Sequence, residues 1–73
     1  MNLTSASLKL FTDQVRECRN YGGEAPQRDS SKATAGNLMD LKKKGLITTD
    51  DDGEVLWVEI TEAGKAYAAE LGI

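Results

Sequence analysis

Residues 34–64 read TAGNLMDLKKKGLITTDDDGEVLWVEITEAG, and the order of signals along them decides the fold class. Thr34, Leu38 and Leu41 share one face of a helical wheel, so the stretch opens as a helix, capped at its start by Ser30 or Ser31. Gly45 supplies the left-handed stop after Lys44. Two β-rich segments follow, 46–49 and 55–60, separated by Asp50, Asp51, Asp52 and Gly53, which spells a hairpin. Alternation sends Leu56, Val58 and Ile60 towards the helices and Val55, Trp57 and Glu59 to the other side. Thr61 caps a last helix over 62–71, with Glu62 near its positive end and Ala63, Tyr67 and Leu71 as its apolar stripe.

Upstream, Leu8, Phe11, Val15 and Cys18 recur at three- and four-residue spacing between polar residues, which predicts a helix over 5–20. Thr4 or Ser5 caps it, and Gly22-Gly23 ends it. Cys18 falls on the buried stripe and is expected to act as a small apolar core residue. The following YGGEAPQRDSS at 21–31 has glycine, proline and short polar residues without apolar periodicity, so a loop or irregular turn is expected there. Tyr21 is expected to anchor that loop against the core. The whole, 1–73, is one α+β domain: three helices, a hairpin, and a loop or short turn between the first two helices.

A chain of 73 residues buries a modest fraction of its surface and has room for one core. With no histidine and a single cysteine, an internal disulfide and the usual zinc ligand sets are excluded, and no cofactor is expected. No activated nucleophile or phosphate-cradling glycine loop is visible, so an enzyme is not expected. No apolar run is long enough for a membrane span, and MNLTSASLKLF lacks the form of a signal peptide. The expectation is therefore a cytoplasmic protein with no membrane partner.

The net charge of −3 conceals an asymmetry. Residues 1–45 carry eight cations and five anions, for +3; residues 46–73 carry one cation and seven anions, for −6. Such a division can orient a charged partner. On the helix before Gly45, the face opposite the apolar one carries Lys32, Ala33, Gly36, Asp40, Lys43 and part of Lys44. Gly36, in mid-helix, costs up to about 1 kcal/mol relative to alanine; close approach of a DNA backbone or another chain is one reason for it, and local packing or simple tolerance is the other. Lys42, Lys43 and Lys44 also suit the negative end of the helix dipole. Asp50, Asp52 and Glu54 alternate around Gly53, yet the spacing and the flanking strands do not make a calcium loop; a solvated turn tip is expected. Trp57 on the outer face suggests a partner surface unless a chain terminus covers it.

GNLMDLKKKGLI followed by a hairpin and VEITEAGKAYA resembles the end of winged-helix regulators of the MarR type. There a recognition helix leaves through a Gly-Leu-Ile exit, and the second wing strand runs into an Ile-Thr-x-x-Gly helix start. The matching positions are Leu38, Leu41, Gly45, Leu46 and Ile47, then Val58, Ile60, Thr61, Glu62, Ala63 and Gly64. The resemblance covers about half of the chain. Asn20, Tyr21 and Gly23 also resemble an Asn-aromatic-x-Gly loop of short phage or plasmid proteins. Winged-helix regulators generally carry a full second helix and a basic wing; here those places hold the 21–31 stretch and DDDG.

The resemblance implies double-stranded DNA as partner, read by the helix 31–44, in a small transcriptional or phage/plasmid regulator acting as a homodimer. The expected DNA-binding residues are Arg28, Lys32, Gly36, Asn37, Lys42, Lys43 and Lys44, with Lys32 and Lys43 for phosphates or guanine edges and Asn37 for adenine. The alternative is a protein-interaction winged helix without direct DNA binding, in which Trp57 and the acidic tip at Asp50, Asp51 and Asp52 meet a protein partner.

Overall fold

A computed structural model describes residues 3–27 and 31–73. In chain order the elements are α1 (Ser5–Asn20), β1 (Glu24–Gln27), α2 (Lys32–Lys43), β2 (Ile47–Asp51), β3 (Leu56–Ile60) and α3 (Glu62–Leu71). The three strands form one antiparallel sheet in the order β1-β3-β2. The α+β class, the hairpin and the closing C-terminal helix therefore stand as the sequence implies.

Local chemistry sets the helix ends. The Thr4 hydroxyl oxygen accepts from Ser7 N–H at 3.1 Å, that of Ser31 from Thr34 N–H at 3.2 Å, and that of Thr61 from Gly64 N–H at 3.0 Å. Each satisfies a backbone donor that a helix start leaves without a partner. At the exit of α2, Gly45 takes φ +75° while Leu46 N–H reaches back to Leu41 O at 3.1 Å, the left-handed stop expected there.

The 21–31 stretch departs from the expected loop. Residues 24–27 form the strand β1 and pair with β3 in the register Glu24↔Glu59, Ala25↔Val58, Pro26↔Trp57 and Gln27↔Leu56. A proline is tolerated because β1 is an edge strand, where a lost ladder donor costs little. Ala25 is fully buried, so this four-residue strand closes the sheet over α1.

The core lies between the helices and the inner face of the sheet. It consists of Phe11, Val15, Cys18, Ala25, Leu38, Leu41, Leu46, Ile47, Val58, Ile60 and Ala68. Cys18 sits inside it, its Sγ donating to Val58 O at 3.3 Å, and burial pushes its thiol pKa up. Two expectations need correction. Tyr21 is 58% exposed and does not anchor the loop; it closes α1, its backbone N–H donating to Glu17 O. The buried line of α3 runs through Gly64 and Ala68, whereas Ala63 and Leu71 are exposed.

Gly64 explains that rotation. A Cβ there would overlap the Leu46 carbonyl and stand 2.7 Å from Ile60 Cγ2, so only glycine lets α3 start this close to the chain leaving α2. The same approach joins Thr61 N–H to Leu46 O at 3.1 Å and the Thr61 hydroxyl to Gly45 O at 2.6 Å. Tyr67, half-buried, then meets Phe11 with ring centroids 5.6 Å apart, fixing α3 against α1.

Candidate nucleic-acid interface

Helix α2 buries Leu38 and Leu41 and thereby fixes which residues it shows to solvent. At 100° per residue the outward arc runs through Lys42, Ala35, Met39, Lys32, Lys43 and Gly36, all of them exposed. Three cations, two small residues and a 58% exposed methionine thus share one surface. Met39 and Ala35 belong to it although the sequence reading placed neither there. The burial of Leu38 in preference to a helix centred on Thr34 is the signal that would have found them.

The other side of the helix is engaged within the chain. The Asn37 carboxamide oxygen accepts from the Ser7 hydroxyl at 3.2 Å, which turns this side chain towards α1 and away from the exposed arc. The expectation of Asn37 facing a base is corrected accordingly. Asp40 bonds Lys44 Nζ at 2.6 Å across one helical turn, and that bond, with a contribution from the Ser7 hydroxyl, holds the Asp40 carboxyl below its ordinary pKa. Lys44 is therefore spent on its own helix, and Asp40 lies at the margin of the free face, where its charge is neutralised. Arg28 falls outside the described residues.

Gly36 has no internal reason to be glycine. Its backbone is ordinary helix, and a Cβ built there meets nothing within 4 Å. Of the accounts open for this residue, packing inside the chain is removed; close approach of another molecule and simple tolerance of glycine both stand.

A groove of about 670 Å³ separates α2 from the hairpin, with Ala35, Met39 and Lys42 on the helix side and Asp51, Glu54 and Val55 opposite. Lys42 faces this acidic wall, whereas Lys32 and Lys43 lie further round the helix. The turn carboxylates have internal tasks. Asp51 Oδ1 accepts from Gly53 N–H at 2.8 Å, and Asp52 Oδ1 accepts from Val55 N–H at 2.8 Å and Glu54 N–H at 2.9 Å. Asp52 Oδ2 also accepts from the Trp57 indole N–H at 2.9 Å. The bonds from Val55, Trp57 and Glu54 lower the Asp52 pKa to about 2. Among the described residues no group of three or more acidic or cysteine ligands could hold a metal ion.

On the far side of α2 a cleft of about 630 Å³ runs between α1, β1 and the start of α2, bordered by Lys9, Leu10, Gln14 and Pro26. Gln14 is 4% exposed and its carboxamide oxygen has no hydrogen-bond partner. No helix of the described residues is long and apolar enough to cross a membrane. No family model, curated protein or solved structure matches the chain.

Proposed function

We propose that the chain is a winged-helix DNA-binding module that lays α2 in the major groove of double-stranded DNA, as a small cytoplasmic transcriptional or phage/plasmid regulator. The observation that carries this reading is Gly36, a mid-helix glycine without an internal packing partner, on the same exposed arc as Lys32 and Lys43. A surface of small side chains flanked by cations suits a helix that must approach a polyanion closely.

Lys32 and Lys43 contact phosphates in this reading, and Ala35, Gly36 and Met39 face the groove floor. Lys42 is held nearer the hairpin, whose Asp51 and Glu54 would repel a phosphate backbone. The hairpin therefore stands off the duplex, and one module makes few contacts. Two copies acting on paired half-sites compensate for that shortage. No catalytic step belongs to this role.

The test is a titration of labelled double-stranded DNA at several low salt concentrations. Binding should weaken with salt, and Lys32→Ala with Lys43→Ala should reduce the log–log salt slope by about 2, since each phosphate contact contributes roughly 0.9. Absence of binding at the lowest salt, or an unchanged slope in the double variant, would refute the assignment.

A further inference from the structure

The outer face of the sheet is a second surface, independent of α2. The registers align Glu24, Glu59 and Thr48 in one row across the strands, and Pro26, Trp57 and Asp50 in the next. Glu24 and Glu59 thus stand directly opposite one another, and among the described residues neither carboxylate has an ion pair. Like charges in that position disfavour the sheet they sit on. Beside them lies an open concavity of about 470 Å³, lined by Tyr21, Gly22, Gly23, Glu24, Trp57 and Glu59.

We infer that this concavity receives an arginine side chain presented by a partner polypeptide. The two exposed carboxylates favour a positive charge, and the carbonyl end of α1, which closes at Tyr21, adds negative potential. Two aromatic residues in the lining distinguish the occupant from a bare metal ion, which would take more oxygen ligands than the pair supplies. A planar guanidinium stacks on an indole or phenol face and donates in parallel to carboxylates, which an ammonium does less well. The Trp57 indole N–H donates to Asp52 Oδ2 at 2.9 Å, which restricts the ring's rotation. The 58% exposure of Tyr21, without use in the core, is accounted for as the second aromatic of the lining.

The experiment uses the full chain and the peptide acetyl-(Gly-Arg)₃-amide, with the citrulline analogue as the uncharged isostere. Trp57 is the single tryptophan, so its emission reports occupancy, and backbone amide NMR shifts locate the peptide. The arginine peptide should shift Trp57 emission and perturb the amides of Gly22, Gly23, Glu24 and Glu59. The citrulline peptide should bind about tenfold more weakly or worse, because the charged donors are gone. Glu24→Gln with Glu59→Gln should weaken the arginine peptide about tenfold, as loss of one side of a charge pair does. Glu54→Gln with Glu70→Gln, which changes the net charge equally at exposed sites, should leave binding unchanged. Equal affinity for the two peptides, equal loss in both double variants, or amide shifts centred on the hairpin tip would overturn the inference. Loss of DNA binding in Lys32→Ala and Lys43→Ala bears on α2 alone, so the two assignments fail separately.

Discussion

Replacing Gly36 by alanine sets folding and function in opposition. The added methyl meets nothing within 4 Å and the backbone there is ordinary helix, so no strain opposes it. What remains is the intrinsic preference of a helix interior for alanine, about 0.5–1 kcal/mol, gained mainly by narrowing the unfolded ensemble. For a domain of this size about 1 kcal/mol raises the melting temperature by roughly 4–8 °C. Thermal unfolding followed by circular dichroism should therefore show Gly36→Ala melting about 2–8 °C higher. On DNA the same methyl projects from the exposed arc, next to Lys43 and Lys32 on the helical wheel. If that arc lies on the groove floor, it must retreat from the contact, and affinity should fall about tenfold, equivalent to about 1.4 kcal/mol. The reasoning is refuted by a variant that is stabilised and binds DNA as tightly as the parent. A destabilised variant would refute the account of α2 packing itself.

Three further outcomes follow from particular contacts. Gly64→Ala places a methyl on the Leu46 carbonyl, a backbone atom that cannot move cheaply, so urea unfolding should show a loss of about 1–3 kcal/mol; an unchanged midpoint would contradict the close approach. Asp52 has its pKa lowered to about 2 from an ordinary value of about 3.9. Its folded-state bonds therefore contribute fully above pH about 4 and are lost as pH falls through about 2, so Trp57 emission should titrate near pH 2, and a midpoint near 4 would be inconsistent with the indole–carboxylate bond. Glu59→Gln removes the like charge opposite Glu24 and should stabilise the free protein by a few tenths of a kcal/mol, about the size of a cross-strand pair term; destabilisation in urea would show that the two carboxylates do not oppose each other.

The sequence carried most of the architecture because its punctuation is strong. Thr4, Ser31 and Thr61 are cap residues, and Gly22, Gly23 and Gly45 take left-handed backbone where the helices end, so the helix limits were visible before any contact was known. β1 was hidden for the opposite reason. Four residues that include a proline, preceded by two glycines, show no alternation, and only pairing with β3 makes them a strand. The orientation of α2 was half legible: Leu38 and Leu41 gave the buried side, but the bonds from Asn37 to Ser7 and from Asp40 to Lys44 depend on how far the helix turns against α1. Tyr21 and the α3 stripe through Ala63 and Leu71 failed as local readings, because Tyr21 sits at a helix exit and α3 is placed by the approach of Gly64 to Leu46, 18 residues earlier. The candidate cations were legible as charge and not as geometry, and the structure separates Lys32 and Lys43 from Lys42 and Lys44.

Thr61 joins the end of β3 to Gly45 and Leu46, where the chain leaves α2. The hairpin between them is consequently a lasso with a fastened neck. Its tip, 52–55, is organised by the Asp51 and Asp52 carboxylates, by the Asp52–Val55 backbone bond and by the Trp57 indole, and among the described residues makes no bond back to the neck, so the tip can be exchanged while the pose of α2 is kept. A lineage could thus retune the acidity of this turn, or graft a longer one, without re-aiming the helix, whereas any change at Gly45, Thr61 or Gly64 alters the aim at once.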